Sequence, residues 1–473
     1  MDMKKFRVES DSVGEKNVPI DAYYGVNSLR AAENFTITGR RMHRDQIISL
    51  AQIKKAAAMA NNKAGLLSDE VRDAIIEACD EIIDGKLHDQ FICDPIQGGA
   101  GTSGNMNANE VIANRANEIL GGKLGTYDKV HPNDHVNMGQ STNDVFPTSG
   151  KLTALKLVPR VIDELKKLYD VLLEKSKEFD DIIKMGRTQM QDAVPIRLGQ
   201  EFHAYSSAVK RDIIRIEKAF EELKTINMGA SAIGTGINVD TVYFDEIVPA
   251  ISRVVGIELK QAEDLVDGTQ HVECFVVASS ALKTAAVSLS KMSNDLRLMS
   301  SGPRTGFGEI NLPPRQNGSS IMPGKINPVI PEVMSQVAFN IIGNDMTITM
   351  AAEGGQLELN AFEPVIFYNL FESIETLAHG VETFRENCVV GITANRERCK
   401  SLVDNSVGII TAIVPHVGYK PAANIAGKAI ATGKSVRELV LKEGLLTEEE
   451  LNEILDAFAM TEPGIAAKHL LDE

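Results

Sequence analysis

The sequence predicts an all-α protein, and three observations lead to this fold class. Ser68 is followed by two acidic residues and by apolar residues at helical spacing as far as Gly85, which predicts a capped amphipathic helix. Residues 271–300 contain neither glycine nor proline, so they predict a helix roughly 45 Å long at about 1.5 Å per residue. Strand signals are sparse and confined to the N-terminal region and short turns.

Further helices are predicted over 151–178, 198–224 and 329–353, with Pro159 as a kink or a restart. The helix over 271–300 is apolar nearly all round, which indicates the centre of a bundle in one chain or in several subunits. Two motifs that fit capping boxes, Ser435 to Glu438 and Thr447 to Glu450, predict short charged helices near the C-terminus. We therefore expect an N-terminal mainly helical domain (1–140), a central long-helix bundle domain (141–396) and a small C-terminal helical domain (397–473).

Composition limits the classes of function. The 473 residues carry a net charge of -16, which is unfavourable for binding nucleic acid but leaves an anionic small molecule possible. The five cysteines are widely spaced without a CxxC motif, which favours reduced thiols over a disulfide framework or a zinc site. No apolar run approaches the roughly 18 residues that a membrane-spanning helix needs, and the first residues lack an apolar signal core. We expect a cytoplasmic protein that binds neither membranes nor nucleic acids.

Two glycine- and hydroxyl-rich segments interrupt the helical pattern. Residues 98–107 combine four glycines with Thr102 and other neutral hydrogen-bonding side chains. They are interpreted either as a capped loop before a helix over 110–120 or as a segment that approaches a ligand closely. Residues 135–144 end in Ser141-Thr142-Asn143-Asp144 at the predicted start of a helix. Free backbone N–H groups there favour a carboxylate, although plain helix capping explains the same residues.

The longest interruption is residues 302–328, with five glycines and five prolines in 27 residues. Loops of this length inside compact proteins are usually functional or disordered. Its apolar residues predict an ordered lid, anchored by Ile310, Leu312, Ile321, Met322 and Ile326, that closes over a substrate. A fourth segment, residues 186–195, offers donors at a break between helices.

Together these segments resemble the aspartase/fumarase superfamily. GSSIMPGKINP (318–328) matches its signature loop, and GAGTSGNMNANE (99–110), HVNMGQSTND (135–144) and GRTQMQDAVP (186–195) follow its order and spacing. The resemblance covers nearly the whole chain. It implies an all-α, three-domain fold whose long central bundle is shared in a homotetramer, with active sites that combine loops from three subunits.

Within this superfamily, Asn327-Pro328-Val329-Ile330-Pro331-Glu332, the Ser-Thr-Asn-Asp sequence at 141–144 and the Thr188-Gln189 pair favour the ammonia-lyase branch. That branch carries out the reversible elimination of ammonia from L-aspartate to give fumarate, through an enediolate and without a cofactor. Activation by a divalent cation remains open, and no residue spacing indicates a metal site. The alternatives are a class II fumarase, which hydrates fumarate to L-malate, and a non-catalytic scaffold. Gly104 and Gly139 depart from the larger or hydroxyl residues of relatives.

The resemblance also implies roles for individual residues. Ser319 would be the general base, and the β-carboxylate would be bound by Thr102, Ser141, Thr142 and Ser320. The α-carboxylate would be bound by Thr188, Lys325 and Asn327, and the amino group would lie near Asn143 and Gln189. A serine hydroxyl is a very weak acid, so we expect a nearby cation and aligned backbone donors around its oxygen. His135 is expected to be structural.

Overall fold

Helices dominate the computed structural model, which describes residues 5–471. In chain order the helices are α1 (Val26–Asn34), α2 (Arg44–Lys63), α3 (Asp69–Ile83), α4 (Thr102–Ile119), α5 (Thr142–Glu178), α6 (Leu198–Glu221), α7 (Thr241–Val255), α8 (Asp267–Gln270), α9 (Glu273–Met299), α10 (Val329–Glu353), α11 (Glu363–Asn387), α12 (Arg396–Asn405), α13 (Ile410–Val417), α14 (Tyr419–Thr432), α15 (Val436–Lys442) and α16 (Glu448–Ile454). The helical fold class is therefore confirmed.

The strands are short and form two-stranded pairs. They are β1 (Phe6–Asp11), β2 (Gly14–Pro19), β3 (Ile183–Thr188), β4 (Gln191–Arg197), β5 (Thr225–Ile226), β6 (Lys260–Gln261), β7 (Ile310–Asn311) and β8 (Thr393–Ala394). The pairs β1–β2, β3–β4 and β7–β8 are antiparallel, whereas β5–β6 is parallel. The β3–β4 hairpin was not predicted, although Ile183 and Met185 alternate with polar residues as a half-buried strand requires.

Several helix boundaries follow the capping signals. The Ser68 hydroxyl accepts a hydrogen bond from the Val71 N–H at the start of α3, as predicted. Thr447 and Glu450 form a reciprocal capping box at α16. Ser435 caps α15 by accepting from the Glu438 N–H. Helix α10 has the bounds that the sequence predicted.

Helix α4 begins earlier than predicted, whereas α5 begins within the segment that was predicted to start a helix. The interpretation of residues 98–107 as a loop is wrong beyond Gly101, because α4 begins at Thr102. A Cβ at Gly104 would lie 2.9 Å from Sδ of Met42, so a larger residue there would displace the flexible Met42 side chain. Helix α5 begins at Thr142 and continues through Pro147 and Pro159 without a restart. Tertiary packing outweighs the low helix propensity of these residues.

The chain forms two compact units. The first comprises residues 1–162, 214–284 and 339–378, and the second comprises 163–213, 285–338 and 379–473. The core of the first unit contains a cluster of aromatic rings, Phe146, Phe275, Phe367 and Phe371, whose neighbouring centroids are 5.0–5.8 Å apart.

The second unit has its own apolar core beneath the C-terminal helices. Met185 of β3 packs there against buried residues of α12 to α16, including Val403, Ile413, Val440 and Leu451. This packing fixes the base of the β3–β4 hairpin. In the described part of the chain, no helix is long and apolar enough to cross a membrane.

Candidate active site

In the first unit, the predicted site segment forms the N-terminus of α5. The Ser141 N–H donates to Oδ1 of Asp144 at 2.9 Å, and the Asn143 N–H donates to the Ser141 hydroxyl at 3.2 Å. The other carboxylate oxygen of Asp144 accepts from the N–H groups of Gly229 (3.3 Å) and Ser231 (3.1 Å). The carboxylate of Asp144 therefore holds two loops at the start of the helix.

The hydrogen bonds around Thr142 and Asn143 determine what these side chains can offer a ligand. The Thr142 hydroxyl oxygen accepts from the Asn105 amide at 3.2 Å, so its proton is free to be donated. The Asn143 amide nitrogen donates to the Ala232 carbonyl at 2.7 Å, which leaves its oxygen as an acceptor. The Thr142 hydroxyl is therefore suited to donate to a carboxylate, and the Asn143 side-chain oxygen is suited to accept from an ammonium group.

A buried lysine lies beneath this segment. Nζ of Lys54 donates to the side-chain oxygens of Asn137 (2.8 Å) and Gln140 (3.0 Å), and the residue is completely buried. Burial lowers the pKa of Lys54 to about 7, against the opposing charge of Asp144. Burial also raises the pKa of Asp144 to about 6, although three backbone N–H groups and Lys54 favour its ionised form.

Thr102 is the first residue of α4 and is exposed. Its hydroxyl donates to the Gly99 carbonyl at 2.7 Å, so it must rotate before it can donate to a carboxylate. Asn105, one turn further along α4, donates to both Asn137 (3.3 Å) and Thr142 (3.2 Å). The helix that carries Thr102 is thereby tied to the start of α5.

In the second unit, Thr188 and Gln189 lie at the exposed end of the β3–β4 hairpin. Gln189 and Met190 form its two-residue turn and have φ angles of 53° and 65°. Hairpin turns with two positive φ angles usually contain Asn and Gly, because a left-handed backbone costs other residues about 1–2 kcal/mol. Such strain at a non-glycine pair indicates a functional position when surrounding structure maintains it.

The signature loop folds back on itself in the second unit. The Gly318 N–H donates to the Lys325 carbonyl at 2.9 Å, and the Asn327 amide donates to the Gly318 carbonyl at 2.8 Å. A Cβ at Gly318 would lie 2.4 Å from the Lys325 carbonyl oxygen, so only glycine allows this close approach. The loop is thus closed by contacts between its own ends.

Ser319 lies inside this closed loop and is half-buried. Its hydroxyl oxygen accepts hydrogen bonds from the backbone N–H groups of Ile321 (3.2 Å) and Met322 (3.0 Å). Ser320 and Lys325 are exposed, and Nζ of Lys325 has no carboxylate partner among the described residues. The arrangement provides an oxygen with two aligned donors and a free cation in the same loop.

Three of the five expected apolar anchors of the loop are exposed in the chain. Ile321 is 83% exposed, Met322 48% and Ile326 50%, so the prediction that they anchor the loop is wrong for the single chain. Ile310, at the base of the loop, is buried as predicted, and hydrogen bonds between the ends of the signature loop also hold it. Its exposed apolar tip is a candidate for contact with another molecule.

The predicted site residues therefore fall into two groups. The first unit contains Thr102, Ser141, Thr142 and Asn143, and the second contains Thr188, Gln189, Ser319, Ser320, Lys325 and Asn327. The imidazole Nδ1 of His135 accepts from the His131 N–H at 2.9 Å, which gives it a structural partner in the turn Pro132–Val136. No group of three or more potential metal ligands occurs in residues 5–471.

The residues that support the site were not predicted from the sequence. Lys54 lies on the same face of α2 as Leu50, Ala57 and Ala58, which are all buried. A lysine on such an apolar face is a signal of a buried functional or positioning cation. Asp144 was noted only as part of a motif, although its carboxylate holds the start of α5.

Comparisons with known proteins cover almost the whole chain. A family model described as Lyase matches residues 14–343, and one described as Fumarase C C-terminus matches 409–462. Aspartate ammonia-lyases from a Bacillus species and from Bacillus subtilis are 56% and 53% identical, over 98% and 99% of this chain and 99% of each relative. The solved class II fumarase of Schistosoma mansoni is 37% identical, with a TM-score of 0.93 over 97% of this chain and 99% of that chain.

Proposed function

Because this chain belongs to the aspartase/fumarase superfamily of lyases, we propose that it catalyses the reversible elimination of ammonia from L-aspartate to give fumarate. The observation that carries this proposal is the identity of 56% with an aspartate ammonia-lyase over nearly the full length of both chains. Identity with the class II fumarase is lower, at 37% over a similar length. The ammonia-lyase activity is therefore favoured over the hydration of fumarate.

The reaction breaks a C–H bond at the β-carbon, and the proton passes to a base. The electron pair moves onto the β-carboxylate, which becomes a doubly negative enediolate. The carbon–nitrogen bond of the ammonium group then breaks, its electron pair leaves with the nitrogen as neutral ammonia, and the double bond of fumarate forms. The main barrier is the charge of the enediolate, and fixed hydrogen-bond donors lower such barriers by about 3–4 kcal/mol each.

Ser319 is the general base in this proposal. Two backbone N–H groups point at its oxygen, and such donors favour an ionised oxygen over a neutral one. The free ammonium group of Lys325, six residues further along the loop, adds positive potential when the loop closes over substrate. Exclusion of water on closure strengthens both effects.

The donors of the first unit bind the β-carboxylate, where the charge develops. The Thr142 hydroxyl proton is free, and the Ser141 oxygen accepts from Asn143, so both hydroxyls donate outward. Thr102 of the first unit and Ser320 of the second unit complete the set of β-carboxylate donors. The Asn143 side-chain oxygen accepts from the amino group of the substrate. These groups are uncharged, and their hydrogen bonds strengthen most when the β-carboxylate becomes an enediolate.

The second unit binds the α-carboxylate. Lys325 supplies a charge, and Thr188 and Asn327 supply directed donors, while Gln189 lies near the amino group. These contacts are similar in the substrate and in the transition state, so they contribute mainly to affinity. Residues of this chain thus serve as the general base and as the binding groups of both carboxylates.

The active protein is proposed to be a homotetramer with each site shared among three subunits, in keeping with the three-domain fold of the superfamily. Helix α10 supports this through a row of exposed apolar side chains, Phe339 (63% exposed), Ile342 (38%), Met346 (63%) and Met350 (64%). The spacing places them along one face of the helix. Apolar surface of this extent is normally buried in a protein–protein interface. The exposed apolar tip of the signature loop supports the same proposal.

A cytoplasmic location is part of the proposal. All five cysteines carry free thiols, and four of them are buried. Free thiols are typical of a reducing compartment.

A direct assay tests the proposed function. Fumarate absorbs in the ultraviolet, so its formation from L-aspartate and, separately, from L-malate can be followed with the purified protein. Formation from L-aspartate alone is the expected result. Formation from L-malate alone would establish the fumarase alternative, and no product from either substrate would favour a non-catalytic scaffold.

A further inference from the structure

A buried ion pair lies directly behind the end of the β3–β4 hairpin. The Arg187 guanidinium donates to Oε1 of Glu309 at 2.9 Å and lies 4.1 Å from the centre of the Phe307 ring. The Glu309 side chain is completely buried. Its second oxygen is 3.9 Å from Nζ of Lys184, which is also buried. Two cations of β3 thus share one carboxylate from the chain segment that leads to the signature loop.

The network continues away from the hairpin. Nζ of Lys184 is 2.9 Å from a carboxylate oxygen of Glu201 in α6. The Tyr205 hydroxyl lies 3.3 Å from Glu201 and 3.0 Å from Asp295 of α9. Burial and these two carboxylates raise the pKa of Tyr205 well above its usual range, so the hydroxyl remains a donor. The hairpin is therefore connected to α6 and α9 through residues of the second unit.

The hairpin end needs such support because its conformation is unfavourable. Gln189 and Met190 both have positive φ angles. On the return strand, the Ser406 hydroxyl donates to Asp192 at 2.8 Å, which anchors one side of the turn. On the outgoing strand, Arg187 is the anchor. Successive side chains of a strand point to opposite faces, so an inward Arg187 directs Thr188 outward.

We propose that Glu309 is a positioning residue for substrate binding, which acts by holding Arg187 and hence the hairpin residues Thr188 and Gln189. The inference rests on the proposed function, in which these two residues bind the α-amino acid end of the substrate. Without the Glu309 carboxylate, Arg187 and Lys184 are left as neighbouring cations without their shared partner. Arg187 then moves toward solvent, and the turn loses its fixed direction.

Glu309→Gln tests this role, because it removes the charge and preserves the size of the side chain. Glu164→Gln is the matched control. Glu164 forms a 2.9 Å ion pair with Arg385 in the same unit. The two arginines are similarly buried, since Arg385 is 12% exposed and Arg187 is 13% exposed. For Glu309→Gln we expect KM for L-aspartate to rise about tenfold and kcat to change by less than about threefold, because ground-state contacts are weakened. For the Glu164→Gln control, we expect KM and kcat to remain unchanged.

Amide hydrogen exchange provides a readout that does not depend on activity. Exchange of residues 186–192 is expected to be about tenfold faster in Glu309→Gln than in the parent protein, with no such change in Glu164→Gln. If Glu309→Gln does not assemble, Arg187→Met replaces it, and the same two changes are expected. Unchanged KM and exchange, or equal changes in the control, would overturn the proposal. If the parent protein forms no fumarate from L-aspartate, the proposed function fails, and the exchange data still decide whether Glu309 positions the hairpin.

Discussion

The backbone N–H of Met322 donates to the Ser319 hydroxyl oxygen at 3.0 Å, and the N–H of Ile321 donates to the same oxygen at 3.2 Å. A serine oxygen that accepts two main-chain donors is better suited to carry negative charge than a serine in water. The backbone contacts of Gly318 with Lys325 and Asn327 create this geometry. Several expectations about the proposed activity depend on it.

Gly318→Ala is expected to lower kcat/KM for L-aspartate about 100-fold, because a shift of about 1 Å at a reacting group can have that effect. The added Cβ would lie 2.4 Å from the Lys325 carbonyl oxygen, so the loop must open. Gly427→Ala in α14 is the control, because a Cβ there has no neighbour within 4 Å. Steady-state kinetics of both variants measure the difference, and an active Gly318→Ala enzyme would show that loop closure is not required.

Thr142→Val is expected to lower kcat by about 10²–10³, because it removes one donor to the developing enediolate. Thr148→Val in the same helix is the control. The Thr148 side chain is completely buried, and its hydroxyl has no hydrogen-bond partner among the described residues. Replacing such a hydroxyl by a methyl group is close to neutral for stability. Equal kinetic losses in both variants would exclude a specific role for Thr142.

Lys54 makes stability depend on pH. Burial lowers its pKa from 10.5 to about 7, so between these values the unfolded chain binds one more proton than the folded chain. Lys54 therefore makes the free energy of unfolding rise by about 1.4 kcal/mol per pH unit between about pH 7 and pH 10.5. Below about pH 7 the destabilising contribution of Lys54 is constant. Lys54→Met is expected to lose this slope.

Urea unfolding at about pH 7.5 and about pH 9 measures the slope in both proteins. Burial also lowers the pKa of Lys156, to about 8. Its contribution to the pH dependence is present in both the parent protein and the variant, so it cancels in the comparison. An identical pH dependence in the parent protein and the variant would mean that Lys54 is charged in the folded protein.

Subunit mixing tests the shared active site. Ser319→Ala and Thr142→Val each lack one essential group, and the two groups belong to different units of the chain. If each site takes them from different subunits, random hybrid tetramers regain about one quarter of the parent activity, because one site in four then has both groups. The two variants are unfolded together, refolded and assayed against each variant treated alone. Activity no higher than the variants alone would place both groups in one subunit.

Much of the helical fold can be predicted from local signals. The caps at Ser68 and Thr447 and the bounds of α10 depend on residues within a few positions of each other. The start of α4 was harder to predict. Glycine at position 104 is unfavourable in a helix interior, yet it lies within α4 and packs close to Met42 and Phe146.

The signature loop and the residue types of the site could also be predicted, because the motif is long and specific. The residues that support the site could not be predicted. Lys54 and Asp144 are distant in sequence and interact through their charges, while Lys54 donates hydrogen bonds to Asn137 and Gln140. Arg187 and Glu309 are separated by 122 residues. Such pairs follow from the tertiary fold and leave no periodic pattern in the sequence.

The most direct test of the account is the rate of fumarate formation from L-aspartate by Ser319→Ala, compared with Ser300→Ala. Ser300 lies in the same unit and donates its hydroxyl to the Arg297 carbonyl. We predict that Ser319→Ala loses at least about 10³-fold in kcat and keeps the oligomeric state of the parent protein, whereas Ser300→Ala retains its activity. Near-normal turnover by Ser319→Ala would contradict the assignment of Ser319 as the base that removes the carbon-bound proton.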